Sequence, residues 1–290
     1  MGNKALITAK SSLVSLVIFT CEGREHLLQK CFKSFVSHAN FQFSKIILAV
    51  DGKIDQLVIK EIEPDIIVQS YLRKGYVNSI SGTLKVIDTP YFFWLEDDWD
   101  FRSALQIATF LSKLQQNLNW AQIIYSKYGP LDNDLKHLPL ENNLFETPFG
   151  FSANPCLCNT NLVRSAFCDL AVAPKGDTLG EDGFENFLTK TFATNNIKCV
   201  IHDPVDHLIV SHEGYLESTP RNWHMTNSLN NKTQKHLLTV PEPSLVRKTW
   251  MFFKLAILFL KISFSQFFSN KIYEFCFRII AAYKMTNKSE

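Results

Sequence analysis

Two rhythms of apolar positions alternate along the first half of this chain. Short apolar segments at residues 14–20, 46–50, 65–69, 91–95 and 121–125 have the length and branched or aromatic content of buried strands. Between them the spacing stretches to that of a helix. Leu27, Leu28, Cys31, Phe32, Phe35 and Val36 fall on one helical face, and shorter helices are expected over 55–62 and 77–86. A longer helix carrying Ala104, Leu105, Ala108, Leu111 and Leu114 is expected to end near Leu118. Strands that alternate with helices in this way build a parallel sheet from βαβ units, which makes 91–95 the fourth strand and a central one.

The second half is less regular. Residues 129–148 read as a long polar loop, 149–158 as a strand crossing the sheet, and Leu162, Val163, Ala166 and Phe167 as the inner face of a helix. Phe184, Phe187, Leu188 and Phe192 mark another helix, which starts at Gly180-Glu181-Asp182-Gly183. Two short strands, 199–202 and 208–211, lead to His212-Glu213-Gly214. Beyond Pro241 and Pro243 the composition shifts to Phe, Ile and Leu, with Lys254, Lys261, Ser265 and Ser269 as a polar stripe. Three regions are therefore expected: an extension over 1–12, an α/β domain over 13–240 and an amphipathic helical tail over 241–290.

The tail's apolar stretches fall short of the roughly 20 residues a spanning helix needs. Lys248, Lys271, Arg278 and Lys284 flank them, so the tail either lies on an anionic membrane surface or packs on the α/β domain or a second subunit. The N-terminus has Lys4 and Lys10 ahead of an apolar stretch, but that stretch is too brief for a signal peptide and lacks a cleavage site. Leu6 likewise breaks the myristoylation pattern after Gly2.

A net charge of +2 gives no electrostatic case for a nucleic-acid partner. Seven cysteines without repeated pair spacing point to a reducing, cytoplasmic setting rather than a disulfide framework. Cys156, Cys158 and Cys168 lack the two-residue spacer and second ligand pair of a structural zinc site.

Chemistry concentrates where strands end. Glu96-Asp97-Asp98-Trp99 closes the fourth strand with three carboxylates, a donor set suited to a divalent cation carrying phosphate oxygens. The same residues also suit a solvated turn in which Asp100 caps the next helix. Thr20 to Arg24 follows the first strand, Asp51-Gly52 the second, and Glu181-Asp182 and His212 lie at later element ends.

Taken together these ends resemble the inverting family 2 glycosyltransferases and their relatives with the GT-A fold, over about residues 13–215. The resemblance implies a mixed, mostly parallel sheet flanked by helices and a nucleotide-sugar site at the strand ends. In that family's pattern Thr20, Glu22 and Arg24 lie against the nucleotide base and Asp51 recognises it; Arg73, beside Lys74, either steadies the nucleotide or its phosphates or belongs to an exposed turn before a helix. Glu96 and Asp97 face the ribose or a metal-bound water, while Asp98, completed by His212, holds Mn²⁺ or Mg²⁺. Asp182 is the expected base on the acceptor hydroxyl. Glu181, Trp99, Asn154 and Trp223 are expected near the acceptor, since sugars stack on aromatic faces.

The function so implied is transfer of a sugar from a nucleotide diphosphate sugar, a uridine diphosphate sugar in the first instance. The acceptor would be a glycan or a lipid-linked glycan of surface polysaccharide, met at the cytoplasmic membrane face. Two alternatives stay open on the sequence: a nucleotidyltransferase of related fold, although only Gly23 follows the first strand, and a non-catalytic sugar- or lipid-binding module.

Overall fold

A computed structural model describes residues 13–131, 136–172 and 177–213, with the main chain alone for 172 and 177–182. The expected extension over 1–12, the tail over 241–290 and Trp223 lie outside the described residues.

The elements follow in chain order: β1 (Val14–Cys21), α1 (Glu25–Ala39), β2 (Ile46–Asp51), α2 (Gln56–Ile62), β3 (Ile66–Ser70), α3 (Tyr76–Leu84) and β4 (Tyr91–Glu96). Next come β5 (Trp99–Phe101), α4 (Ile107–Gln116), β6 (Trp120–Tyr125), β7 (Leu138–Glu141), β8 (Leu144–Glu146) and β9 (Cys156–Asn159). Helices α5 (Thr160–Val172) and α6 (Asp177–Thr194) precede β10 (Lys198–His202) and β11 (Val210–His212).

Nine strands form one sheet in the order β3-β2-β1-β4-β9-β6-β10-β8-β7. Strands β3, β2, β1 and β4 run parallel, β9 is antiparallel to both of its neighbours, and β10 resumes parallel pairing with β6. This is the mixed, mostly parallel sheet flanked by helices that the sequence led us to expect.

Period-two alternation explains why both faces are covered. Val14, Leu16, Ile18, Phe93 and Leu95 point to one face, where α1 supplies Leu28, Cys31 and Phe35 and α4 supplies Ile107, Phe110 and Leu114. Val17, Phe19, Phe92 and Trp94 point to the other, covered by Val77, Ile80 and Leu84 of α3, Val163 and Phe167 of α5, and Phe184, Leu188 and Phe192 of α6. Trp94 is fully buried between Phe19, whose ring centroid lies 4.6 Å away, and Phe184, stacked at 6.4 Å. Truncating such a side chain costs about 3–5 kcal/mol.

Four expectations need correction. Residues 129–148 contain the β7–β8 hairpin, turning at Asn142 and Asn143, which both have positive φ as two-residue hairpin turns require. The crossing strand begins at Cys156 rather than 149, because residues 151–153 are bound to α6 instead of a ladder. Helix α4 starts only at Ile107, and Asp100 is no cap: it sits in β5, paired with Ser211 of β11. Val36, expected on the inner face of α1, is 59% exposed.

Candidate functional site

Parallel register puts the polar strand ends side by side. Cys21 pairs with Asp51, Asp51 with Ser70, and Phe19 with Glu96, so the ends of β1 to β4 form one edge. This is the edge at which α/β sheets bind ligands. His212 arrives from a distance: β11 pairs antiparallel with β5, which sets His212 opposite Trp99 and beside Asp98.

Asp97 and Asp98 occupy the turn between β4 and β5, both over nine-tenths buried. Thr20 Oγ1 donates to Asp97 Oδ2 at 2.7 Å. Arg24 Nε donates to both Asp97 oxygens at 2.8 and 3.0 Å, and Arg24 Nη2 reaches Asp98 Oδ2 at 2.6 Å. His212 Nε2 lies 3.1 Å from the same Asp98 oxygen, while Asp98 Oδ1 is buried with no hydrogen-bond partner among the described residues. Burial pushes the Asp98 carboxyl up, but the His212 hydrogen bond and the Arg24 charge outweigh it, and the group is held below the ordinary carboxylate range. Arg24 is therefore turned toward the acidic pair, not outward against a base as the family pattern implies.

Asp51 is buried at the end of β2, and its oxygens accept the N–H groups of Lys74 at 2.7 Å and Gly75 at 3.0 Å. It thereby fixes the turn into α3. The half-exposed Arg73 stands 3.9 Å from Asp51 and donates to the Cys21 thiol at 3.5 Å. Burial and the Asp97 charge push that thiol up, so Cys21 stays protonated. Glu22 is exposed and accepts the Lys53 N–H at 2.9 Å. Gly52 has φ +113°, and a Cβ there would stand 2.7 Å from Glu22, so this approach admits only glycine.

Glu96 points to the opposite face from Arg24. Tyr76 Oη donates to Glu96 Oε1, and burial followed by the Asp98 charge pushes the Glu96 carboxyl well above its usual range, against the opposing pull of that hydrogen bond. Glu185 lies on the same side. Its Oε1 accepts the Ala153 N–H at 2.6 Å, and burial raises its carboxyl too. Neither Tyr76 nor Glu185 was singled out from the sequence. Glu185 did leave a signal: it is a carboxylate embedded in the apolar Phe184, Leu188 and Phe192 series of α6.

Of the residues expected near an acceptor, Asn154 is half-buried, its N–H donating to Ser152 Oγ at 3.4 Å. Trp99 is only 3% exposed and packs in the core with its ring 4.6 Å from that of His212, so it backs the site without lining it. Glu181 and Asp182 belong to α6, directly before Gly183, whose φ of 69° and ψ of 173° interrupt the helix. Two further histidines of this region stand elsewhere: His202 is buried against Phe110 and Tyr125, and His207 bonds Asp206. Cys156 and Cys158 are buried 3.4 Å apart with Cys168 exposed, and no zinc set forms among them.

Among the described residues no group of three or more His, Cys, Asp or Glu side chains would hold a metal ion unaided. Asp98 and His212 nevertheless fit a hard divalent cation as a pair: Asp98 Oδ1 is buried and unpartnered, and the imidazole stands 3.1 Å from Oδ2 of the same carboxylate. Phosphate oxygens and water would supply the remaining positions.

No family model matches the chain, and no curated protein matches it. Among solved structures, S. aureus TarS aligns over 78% of this chain and 42% of that one, with 11% identity and a TM-score of 0.49. A structure of S. aureus TarS 1–349 aligns over 77% and 68%, with 12% identity and a TM-score of 0.48. The chain thus spans less than half the length of the first of these. No helix among the described residues is long and apolar enough to cross a membrane.

Proposed function

We propose that this chain is an inverting glycosyltransferase that moves a sugar from a nucleotide diphosphate sugar, a uridine diphosphate sugar in the first instance, to a hydroxyl of a glycan. The observation that carries this reading is the Asp98 and His212 pair, with the orphaned Asp98 Oδ1, at the shared edge of β1 to β4.

The donor's base and ribose would lie over Thr20 to Glu22, Asp51 and the Arg73 turn, and its diphosphate beside Arg24 and Asp98. Asp98 and His212 would hold Mn²⁺ or Mg²⁺, which would supply Lewis-acid stabilisation of the departing diphosphate. Asp182 takes the acceptor proton as the hydroxyl oxygen attacks the anomeric carbon from the face opposite the diphosphate, which inverts the configuration there. The break at Gly183 gives Asp182 a position next to a fresh helix start, where a carboxylate is favoured by the helix dipole. Glu185 and Thr189, one turn apart, hold the main chain at 151–153 and so fix α6 against the floor of the acceptor side. The tail over 241–290 would bring the chain to the cytoplasmic face of a membrane and to a lipid-linked acceptor of surface polysaccharide synthesis.

The test is a panel of nucleotide sugars scored by thermal stabilisation with and without Mn²⁺. The true donor should stabilise the full chain only when the metal is present. Asp182→Asn should keep that stabilisation and lose transfer. If no nucleotide sugar stabilises the chain, or if Asp182→Asn transfers at the wild-type rate, the corresponding part of the reading is wrong.

A further inference from the structure

Arg24 does more in this structure than neutralise a stray carboxylate. Its guanidinium lies across both members of the acidic pair, with Nε on Asp97 at 2.8 and 3.0 Å and Nη2 at 2.7 Å from Asp97 Oδ1 and 2.6 Å from Asp98 Oδ2. Three quarters or more of each of these side chains is removed from solvent. The oxygen of Asp98 that faces His212 is thus already occupied by an internal cation, and its other oxygen is buried without a partner. One guanidinium against two carboxylates leaves one negative charge, and a divalent cation entering on Asp98 would meet Arg24 at close range in a poorly screened setting. Arg24 is also the group best shaped to leave. A guanidinium fork pairs bidentately with phosphate oxygens as readily as with a carboxylate, and it extends from the β1–α1 loop, at the edge where strand ends bind ligands.

We propose that Arg24 is the resident counter-ion of the cation site and that the donor's diphosphate draws it off Asp98, so that metal and nucleotide diphosphate bind cooperatively and the metal alone binds weakly. The proposal rests on the reading of Asp98 and His212 as cation ligands. Arg24 is here a positioning residue. By linkage, whatever the diphosphate does to the affinity for metal, the metal does to the affinity for diphosphate. The arrangement offsets one of the two carboxylate charges before the donor arrives and makes the cation site complete only when the leaving group is in place.

The experiment counts free Mn²⁺ by electron paramagnetic resonance during titration of the full chain, with and without uridine diphosphate and with no turnover involved. Wild-type protein should bind Mn²⁺ weakly, and uridine diphosphate should tighten it about tenfold or more. Arg24→Gln should bind Mn²⁺ alone about tenfold more tightly than wild type and lose most of the tightening by uridine diphosphate. Arg24→Lys keeps the charge without the fork, and should leave Mn²⁺ alone weak while reducing the tightening. It also serves if Arg24→Gln fails to fold by circular dichroism. Asp98→Asn should abolish Mn²⁺ binding in every background. If Asp98→Asn binds Mn²⁺ as wild type does, the cation-site reading itself falls. If Asp98→Asn abolishes binding but Arg24→Gln binds Mn²⁺ no more tightly than wild type, or Arg24→Lys tightens with uridine diphosphate as wild type does, the cation site stands and the counter-ion role is refuted.

Discussion

Replacing Gly183 with alanine tests how α6 presents Asp182. Gly183 has φ 69° and ψ 173°, a region that is essentially closed to residues with a Cβ, and a Cβ built there meets nothing within 4 Å. The cost of Gly183→Ala is therefore a backbone cost, about 1–3 kcal/mol, with no steric term added. Gly82 offers the matched control. It sits in α3, its added Cβ also meets nothing within 4 Å, and there alanine should stabilise by about 0.5–1 kcal/mol because the helix no longer carries glycine's entropy. Thermal unfolding followed by tryptophan fluorescence should show Gly183→Ala melting roughly 4–8 °C below wild type for a 2 kcal/mol loss, and Gly82→Ala melting slightly above it. Nucleotide binding should survive Gly183→Ala, since Asp51, Asp98 and Arg24 are on other elements, while transfer should drop. If the two substitutions shift the midpoint in the same direction, or Gly183→Ala leaves it unmoved, the helix is continuous at that position and Asp182 is not set by a break.

Asp97→Asn removes the charge that Arg24 grips with two nitrogens; with Asp98 still available to Arg24, a loss of about 3 kcal/mol in urea unfolding is expected, and a loss under about 0.5 kcal/mol would show the pair to be idle. Glu96 has a folded-state carboxyl raised above its unfolded value near 4.5, so it binds its proton more tightly when folded and lowers stability as pH climbs past that value. Glu96→Gln keeps an acceptor for Tyr76 and cannot ionise, so its melting temperature should match wild type below about pH 4.5 and exceed it increasingly toward neutrality. Parallel melting curves for the two proteins across that range would contradict the assignment. Asp98, held low, acts in the opposite window: its contribution is present above its unfolded value near 3.8 and fades as pH falls through the folded one. Glu185→Ala orphans the Ala153 N–H and should cost about 1–3 kcal/mol, whereas Glu185→Gln, which keeps an acceptor, should recover most of it in the same assay.

The strand ends of the first half were legible because β1, β2 and β4 are nearly continuous apolar runs buried on both faces, each ending in or followed by its polar residue, while the edge strand β3 is only partly buried. What could not be read there depends on partners remote in sequence. Asp100 looked like a helix cap since the residues after it are helix-compatible, yet it pairs with Ser211, more than a hundred residues away, and that same ribbon delivers His212 to Asp98. The β7–β8 hairpin escaped because β7, an edge strand carrying Pro139, and the three-residue β8 have no clean alternation. Arg24 was legible as a site residue but not in its direction, because nothing local distinguishes an arginine facing a ligand from one folded onto Asp97 and Asp98. Glu185 was passed over since a charge on an apolar helix face makes sense only once the Ala153 N–H is seen in front of it.

The central claim is sugar transfer from a nucleotide diphosphate sugar at the Asp98 edge, and product analysis tests it most directly. Full-length protein incubated with Mn²⁺, an acceptor glycan and the nucleotide sugar that stabilises it should release nucleoside diphosphate in step with glycan extension, and neither should occur with Asp98→Asn. Release of pyrophosphate instead would make the chain a nucleotidyltransferase, and stable binding of the nucleotide sugar without any release would make it a binding module.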